Sequence, residues 1–275
     1  MSLLPDITAV ADVIREVSRA EALSRFQSLA AHDISEKSPG DLVTIADLEA
    51  ERALNAALGA LLPGSIMVGE EAVAENPGLL DALNSDEDTC WIIDPIDGTI
   101  NYAHGVPLFA TMVALVVRGE VVAGWIYDPV HDVMAAAEKG GGAYLDRTKI
   151  RFKQPTDLSM LSGVLHLGGT DRELVATAAR NFDRVGPLLV LHCAGLEYQT
   201  MLRGRLHYAL YQSTNPWDHA PGLLILDEAG GYTARLDGSP YNINVINDPS
   251  PLLAAVDEQS WRGLRKQLFD LSDDV

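Results

Sequence analysis

Four apolar residues, Cys90-Trp91-Ile92-Ile93, run directly into Asp94-Pro95-Ile96-Asp97-Gly98-Thr99. A short continuous apolar run closed by turn residues reads as a buried strand. The point where a strand leaves the sheet is where open α/β structures place their ligands. Pro95 fixes φ and bends the chain, so two carboxylates three residues apart can converge on one point. Gly98 lets the backbone approach a ligand closely. The Gly98 and Thr99 amides could then face an anion at a helix start. The plainer alternative is an Asx-rich turn in which Asp-Pro and Asp-Gly are only punctuation.

On either side of this string the pattern resolves into elements. Ile7, Val10, Ile14, Val17, Phe26 and Leu29 recur at helical spacing and predict an amphipathic helix over 6–31, opened by Pro5-Asp6. A second helix is expected from about Ala46 to Leu62 and a short strand over 65–68. An acidic loop with one helical turn is expected over 72–88. Strands over 108–117, 120–128 and 132–138, with turns at Arg118-Gly119 and Asp128-Pro129, form an antiparallel meander. Gly140-Gly141-Gly142 supplies a further turn. The charged, apolar-poor stretch Lys149 to Asp157 divides the chain into subdomains 1–150 and 151–275. Beyond it, strands at 162–167, 188–192, 206–212 and 252–256 alternate with helices at 171–181, 195–203 and 217–229, before a C-terminal helix. The fold class is therefore α/β, with an α+β N-terminal half and an α/β C-terminal half.

Charge narrows the function. The 275 residues carry 39 acids and 20 bases, a net charge of −19. Binding a nucleic-acid backbone needs clustered Lys and Arg, and only Arg147, Lys149, Arg151 and Lys153 gather loosely. Nucleic acid and anionic membrane surfaces are excluded as partners on this ground. The longest purely apolar stretch, Met112 to Val117, is far short of a membrane span. Two cysteines and an N-terminus whose first basic residue is Arg15 point to a cytoplasmic protein.

Glu70 and Glu71 follow a predicted strand, and Asp218 opens a predicted helix in Trp217-Asp218-His219-Ala220. Taken singly these are a solvated loop and an N-cap. Asp47, three residues after Thr44, likewise fits a capping box. Taken together, Glu70, Asp94, Asp97 and Asp218 all sit at strand ends or helix starts. A fold that gathers them needs cations. All-oxygen ligation suits Mg²⁺, Mn²⁺ or Ca²⁺ rather than zinc. Two such cations can activate a water and steady a leaving oxygen in phosphoryl transfer. No phosphate-binding loop, zinc-protease motif or nucleophile elbow occurs. The seven histidines never take metal-ligand spacing and read as surface or hydrogen-bonded residues.

The order G-E-E (69–71), W-I-I-D-P-I-D-G-T-I-N-Y (91–102), P-W-D-H-A (216–220) and E-A-G-G (228–231), with D-L-V-T-I-A-D (41–47), resembles the inositol monophosphatase family. The resemblance spans roughly residues 37–256. It implies a layered αβαβα sandwich and Mg²⁺-dependent hydrolysis of a small-molecule phosphate monoester, usually by a homodimer. By this analogy Glu70, Asp94 and the Ile96 carbonyl hold a first Mg²⁺, and Asp94, Asp97 and Asp218 a second. Glu70 also touches a third, weakly held cation. Thr99, oriented by Asp47, helps deprotonate the water, and the Gly98 and Thr99 amides hold the phosphate. Asp97, Tyr211 and Asp218 border the rest of the substrate.

One position departs from the family. Members that use inositol phosphate tend to carry a glutamate seven residues before the aspartate matched by Asp218. Without gaps that position is Tyr211, and a one-residue shift makes it Gln212. The sequence therefore predicts that inositol 1-phosphate holds no advantage over another monoester, such as one with a flatter or more apolar alcohol. Histidinol phosphate, fructose 1,6-bisphosphate and a 3′-phosphoadenosine nucleotide are the alternatives within the fold. A non-catalytic binding subunit would call for a broken set of carboxylates, and here the set is complete.

Overall fold

The computed structural model describes residues 4–86, 88–153, 157–244 and 249–272. The first three residues of the basic-poor N-terminus, and residues 154–156 of the stretch expected to divide the chain, lie outside the described residues. Asp6 caps the first helix, α1 (Ile7–Val17), by accepting from the Thr8 and Ala9 amides. The helix expected over 6–31 is corrected by the structure. α1 stops at Val17, a π-turn covers Ser18–Ala22, and a 3-10 turn covers Leu23–Arg25. The widened turn coincides with Ser18, whose buried hydroxyl donates to Thr111 at 2.8 Å. A hairpin follows that periodicity did not reveal, β1 (Ile34–Ser38) antiparallel to β2 (Asp41–Thr44). Its β1 strand buries nothing fully and shows no alternation.

Thr44 and Asp47 form a capping box that starts α2 (Ile45–Leu61). A seven-stranded sheet then occupies the N-terminal half. It contains β3 (Ile66–Gly69), β4 (Thr89–Asp97), β5 (Ala110–Val117), β6 (Glu120–Asp128), β7 (Val133–Glu138), β8 (Gly142–Leu145) and β9 (Thr148–Ile150), in that spatial order. β3 and β4 are parallel; the rest form the expected antiparallel meander, extended by two short strands. Between β3 and β4, α3 (Glu70–Glu75) and 3-10 turns over Pro77–Asn84 replace most of the expected acidic loop. The short α4 (Thr99–Ala103) follows β4.

The C-terminal half builds a five-stranded sheet. Its elements in chain order are β10 (Gly163–Leu165), α5 (Arg172–Arg180), β11 (Leu188–Leu189), α6 (Ala194–Leu202), β12 (Tyr208–Tyr211), α7 (Pro216–Glu228), β13 (Tyr232–Arg235), β14 (Leu252–Ala255) and α8 (Glu258–Phe269). The spatial order is β11-β10-β12-β14-β13, parallel across the first three strands.

Alternation along the strands sets the layers. Trp91, Ile93, Val113 and Leu115 pack on Val10, Ile14, Leu54 and Leu58 of α1 and α2. Ile92, Ala114 and Val116 face the other way, onto Trp217 and Ala220 of α7. α6 and α7 are shared with the second sheet through Ala209, Tyr211, Leu252 and Ala254. Tyr208, Leu210, Leu253 and Ala255 point outward to Trp261, Leu264 and Leu268 of α8. The result is the αβαβα sandwich. Gly124 fixes how closely α7 lies on β6, because a Cβ there would meet the Pro221 carbonyl oxygen at 2.8 Å and its Cα at 2.9 Å. Among the described residues, no helix is long and apolar enough to cross a membrane.

Candidate active site

The site begins with a defect in β4. Residues three apart on a regular strand point to opposite faces. Asp94 pairs with Met112 and Asp97 with Ala110, so three steps on β4 match two on β5: a β-bulge at Pro95-Ile96. The extra residue returns Asp97 to the face of Asp94, the face shared with Ala110 and Met112 and covered by α6 and α7. Proline is tolerated there because a bulge frees it from the ladder. The Pro95 carbonyl, turned to the opposite side, accepts from Thr111 at 2.9 Å, which in turn accepts from Ser18. This is a more specific device than the bend expected from proline alone.

α7 delivers the third acid. Its first turn carries Asp218, which accepts from the Asn215 side-chain amide at 3.1 Å. One ligand atom from each of Asp94, Asp97 and Asp218 can be chosen so that all lie within 4.8 Å of one another. Burial raises the Asp94 and Asp218 pKa values well above the carboxylate range, and the Glu70 and Asp97 charges add to it. Asp97 is raised to about 6, chiefly by burial, against the stabilising N–H of Gly195 and S–H of Cys193. The Ala194 and Gly195 amides at the start of α6 donate to its two oxygens at 3.2 and 2.6 Å. Three gathered carboxylates, two of them buried and one half-buried, fit a hard divalent cation.

Thr99, in the first turn of α4, donates toward Asp47 Oδ1 at 3.2 Å and toward the Ile96 carbonyl at 3.0 Å. Asp47 Oδ2 accepts from both the Thr44 amide (2.8 Å) and the Thr44 hydroxyl (2.6 Å), so the helix cap fixes the orientation of the carboxylate. Burial pushes Asp47 up to about 6 despite these bonds. Gly98 precedes Thr99 at φ +90° and fits tightly: a Cβ would meet the Leu108 carbonyl at 2.9 Å and Cys193 Cβ at 3.1 Å.

Glu70 lies beside the three aspartates rather than among them. Its Oε1 accepts from Lys37 Nζ at 2.6 Å, and Lys37 also reaches Glu71 at 3.1 Å. Burial and the Glu70 charge push Glu71 up to about 8, partly offset by Lys37. Glu51 of α2 caps α3 by accepting from the Glu71 and Ala72 amides at 2.8 and 2.9 Å. Sequence reasoning missed Lys37 and Glu51. Neither has a spacing signal, since each is brought in by a different element.

A cleft of about 740 Å³ opens over Asp97, Gly98, Thr99 and Asp218. Leu42, Ile100, Leu165, Leu167 and Val190 supply apolar walls, and His166, His192 and Gln212 supply polar ones. Tyr211 reaches the cleft but is only 4% exposed, with its ring stacked on His166 at 5.3 Å and 15°. His166 Nε2 lies 3.0 and 2.9 Å from the two oxygens of the fully buried Glu197. His219 is a hydrogen-bonded core residue, between the Tyr198 hydroxyl and the Ser213 carbonyl, and burial lowers it to about 3. The general reading of the histidines fits His219. It overlooked that His166 and His192 line the cleft, because they follow strands of the second sheet far away in sequence.

Known proteins share this arrangement of layers. The model of the inositol monophosphatase family matches residues 5–267. An inositol-1-monophosphatase of Mesorhizobium japonicum is 35% identical over 79% of this chain and 81% of its own length. One from Bacillus subtilis is 32% identical over 83% and 84%. Among solved structures, an IMPase of Thermotoga maritima superposes with a TM-score of 0.78 at 26% identity, covering 96% of each chain. The extragenic suppressor protein suhB of Bartonella henselae gives 0.80 at 25%, covering 98% of this chain and 99% of that one. With the aspartates on one face, the capped threonine beside them and these relatives along nearly its whole length, the chain belongs to the inositol monophosphatase family.

Proposed function

We propose that this chain hydrolyses phosphate monoesters of small alcohols with Mg²⁺ as its cofactor. The observation that carries the reading is the convergence of Asp94, Asp97 and Asp218, of which Asp94 and Asp97 are buried and Asp97 and Asp218 line the cleft. We assign Glu70, Asp94 and the Ile96 carbonyl to one cation and Asp94, Asp97 and Asp218 to another, with a third held weakly at Glu70. Bound there, a hard divalent cation lowers the pKa of a water and offsets charge on the phosphate oxygens.

The remaining work falls to the chain's own groups. The Gly98 and Thr99 amides hold the phosphate. Thr99 accepts a proton from the attacking water while donating to Asp47, whose second oxygen is fixed by Thr44. The water oxygen bonds to phosphorus, the ester bond breaks with its electrons going to the alcohol oxygen, and that oxygen takes a proton from solvent. A complete set of carboxylates together with Thr99 speaks against a purely regulatory role.

The test is phosphate release from a panel of phosphomonoesters with Mg²⁺ and with a chelator in excess. Mg²⁺-dependent turnover of at least one is expected, and turnover that survives chelation would overturn the reading. A homodimer is part of the same proposal, supported by the sheet-edge strand β11, which leaves Leu188, Leu189 and neighbouring Val190 exposed. Light scattering should give twice the 29.6 kDa chain mass. We further take residues 1–150 and 151–275 as subdomains, each built on one sheet, of a cytoplasmic enzyme.

A further inference from the structure

Of the two residues that can stand where relatives using inositol phosphate carry a glutamate, Gln212 lines the cleft as a neutral amide and Tyr211 hardly reaches it. Tyr211 is buried beneath His166, and the carboxylate of this region, Glu197, sits behind the imidazole with no exposed surface. The group of this buried cluster that meets the cleft is His166, whose side chain is 27% exposed, beside Gln212 and His192. Glu197 accepts from the Leu191 amide at 3.3 Å, and a carboxylate this deeply buried is stabilised further by a cationic partner. Among the described residues, His166 is the ion-pair partner of Glu197, and no Lys or Arg lines the cleft. Burial lowers the His166 pKa, but the hydrogen bond and charge of Glu197 outweigh it and raise the group overall. Nε2 faces Glu197, so the ring nitrogen His166 has left for a ligand is Nδ1, and the Glu197 charge favours the doubly protonated ring in which Nδ1–H is a donor. Compared with a glutamate, the polarity is inverted: a cationic donor replaces an anionic acceptor. His166 also follows β10 at the carboxyl ends of the parallel strands β10–β12, the end where α/β sheets bind ligands.

We propose that His166, braced by Glu197 and stacked on Tyr211, sets specificity by selecting phosphate monoesters whose alcohol carries an anionic group over neutral polyol phosphates. The proposal rests on the phosphatase reading above. The anionic group can be a carboxylate or a second phosphate, since both accept from a charged donor. Two matched pairs separate these sources. 2-Phosphoglycerate differs from glycerol 2-phosphate by a carboxylate in place of a hydroxymethyl group. Fructose 1,6-bisphosphate differs from fructose 1-phosphate by a second phosphate.

The experiment measures kcat/KM for all four substrates with the Mg²⁺-loaded wild type, His166→Gln and Glu197→Gln. A charged hydrogen bond to substrate corresponds to about ten- to a hundredfold in kcat/KM. The wild type should favour the more anionic member of at least one pair by about tenfold or more, mostly through KM. The pair that shows the preference identifies the anion. Both variants should reduce the ratio to within about twofold of unity. The wild-type comparison needs no variant to fold. Ratios near unity in both pairs, or a preference that persists in either variant, overturn the proposal. If none of the four is hydrolysed, while another monoester is, this proposal fails and the phosphatase reading stands. If no monoester at all is hydrolysed, both fail.

Discussion

Asp94→Asn should lower Mg²⁺-dependent turnover by at least about a hundredfold, or about 2.7 kcal/mol of transition-state stabilisation. Asp94 is shared between both proposed cations, so its loss removes charge from each. The effect must be separated from misfolding, and burial suggests how. Burial and then the like charges of Glu70 and Asp97 push the Asp94 pKa well up, and Asn keeps its shape without the charge. Circular dichroism should be unchanged, and the melting temperature of the metal-free variant should equal or exceed that of wild type. A cation at about a hundred times its Kd stabilises the wild type by roughly 2.7 kcal/mol. That corresponds to a rise in melting temperature of several degrees, at about 2–4 °C per kcal/mol. Asp94→Asn should lose most of that rise. Retention of more than about a tenth of wild-type activity would show that Asp94 does not join two cations.

Thr99→Ala should behave oppositely in one respect. Its hydroxyl lies in the relay to Asp47, outside the aspartate group, so kcat should fall by about 10²–10⁴-fold. The Mg²⁺-induced rise in melting temperature should remain close to that of wild type. Thr99→Ser retains the hydroxyl and should recover most of the activity. A variant with near-normal kcat but no thermal response to Mg²⁺ would move Thr99 from the relay into the cation site.

Much of this could be read before any coordinates. The apolar run at 90–93, closed by turn residues, reads as a buried strand, and the meander over 108–138 follows from its apolar runs and turns. The positions of Asp94, Asp97, Asp218 and Thr99 were legible because each sits where a periodic element begins or ends. The hairpin β1–β2 was not, because an exposed strand pair has no buried face to impose a pattern. The break after α1 was hidden for a different reason. Phe26 and Leu29 continue the helical spacing, yet they pack on the Tyr102 and Phe109 cluster and not on the face covered by Val10 and Ile14. Lys37, Glu51, His166 and Glu197 carry no local signature at all. Each acquires its role only when elements distant in sequence are placed side by side.

The bulge in β4 has a bearing on how such a site could change over generations. Point substitutions at 94 or 97 weaken it by degrees, but a substitution between them that irons out the bulge at unchanged length would act differently. With regular alternation restored, Asp97 would turn away from α6 and α7 toward Trp91, Ile93 and the apolar side chains of α1 and α2. An unpaired carboxylate would then sit in the driest part of the sandwich, at a cost of several kcal/mol. Catalysis and folding would therefore fail in the same event. The bulge at Pro95-Ile96 thus behaves as a digital quantity, kept or lost as a whole.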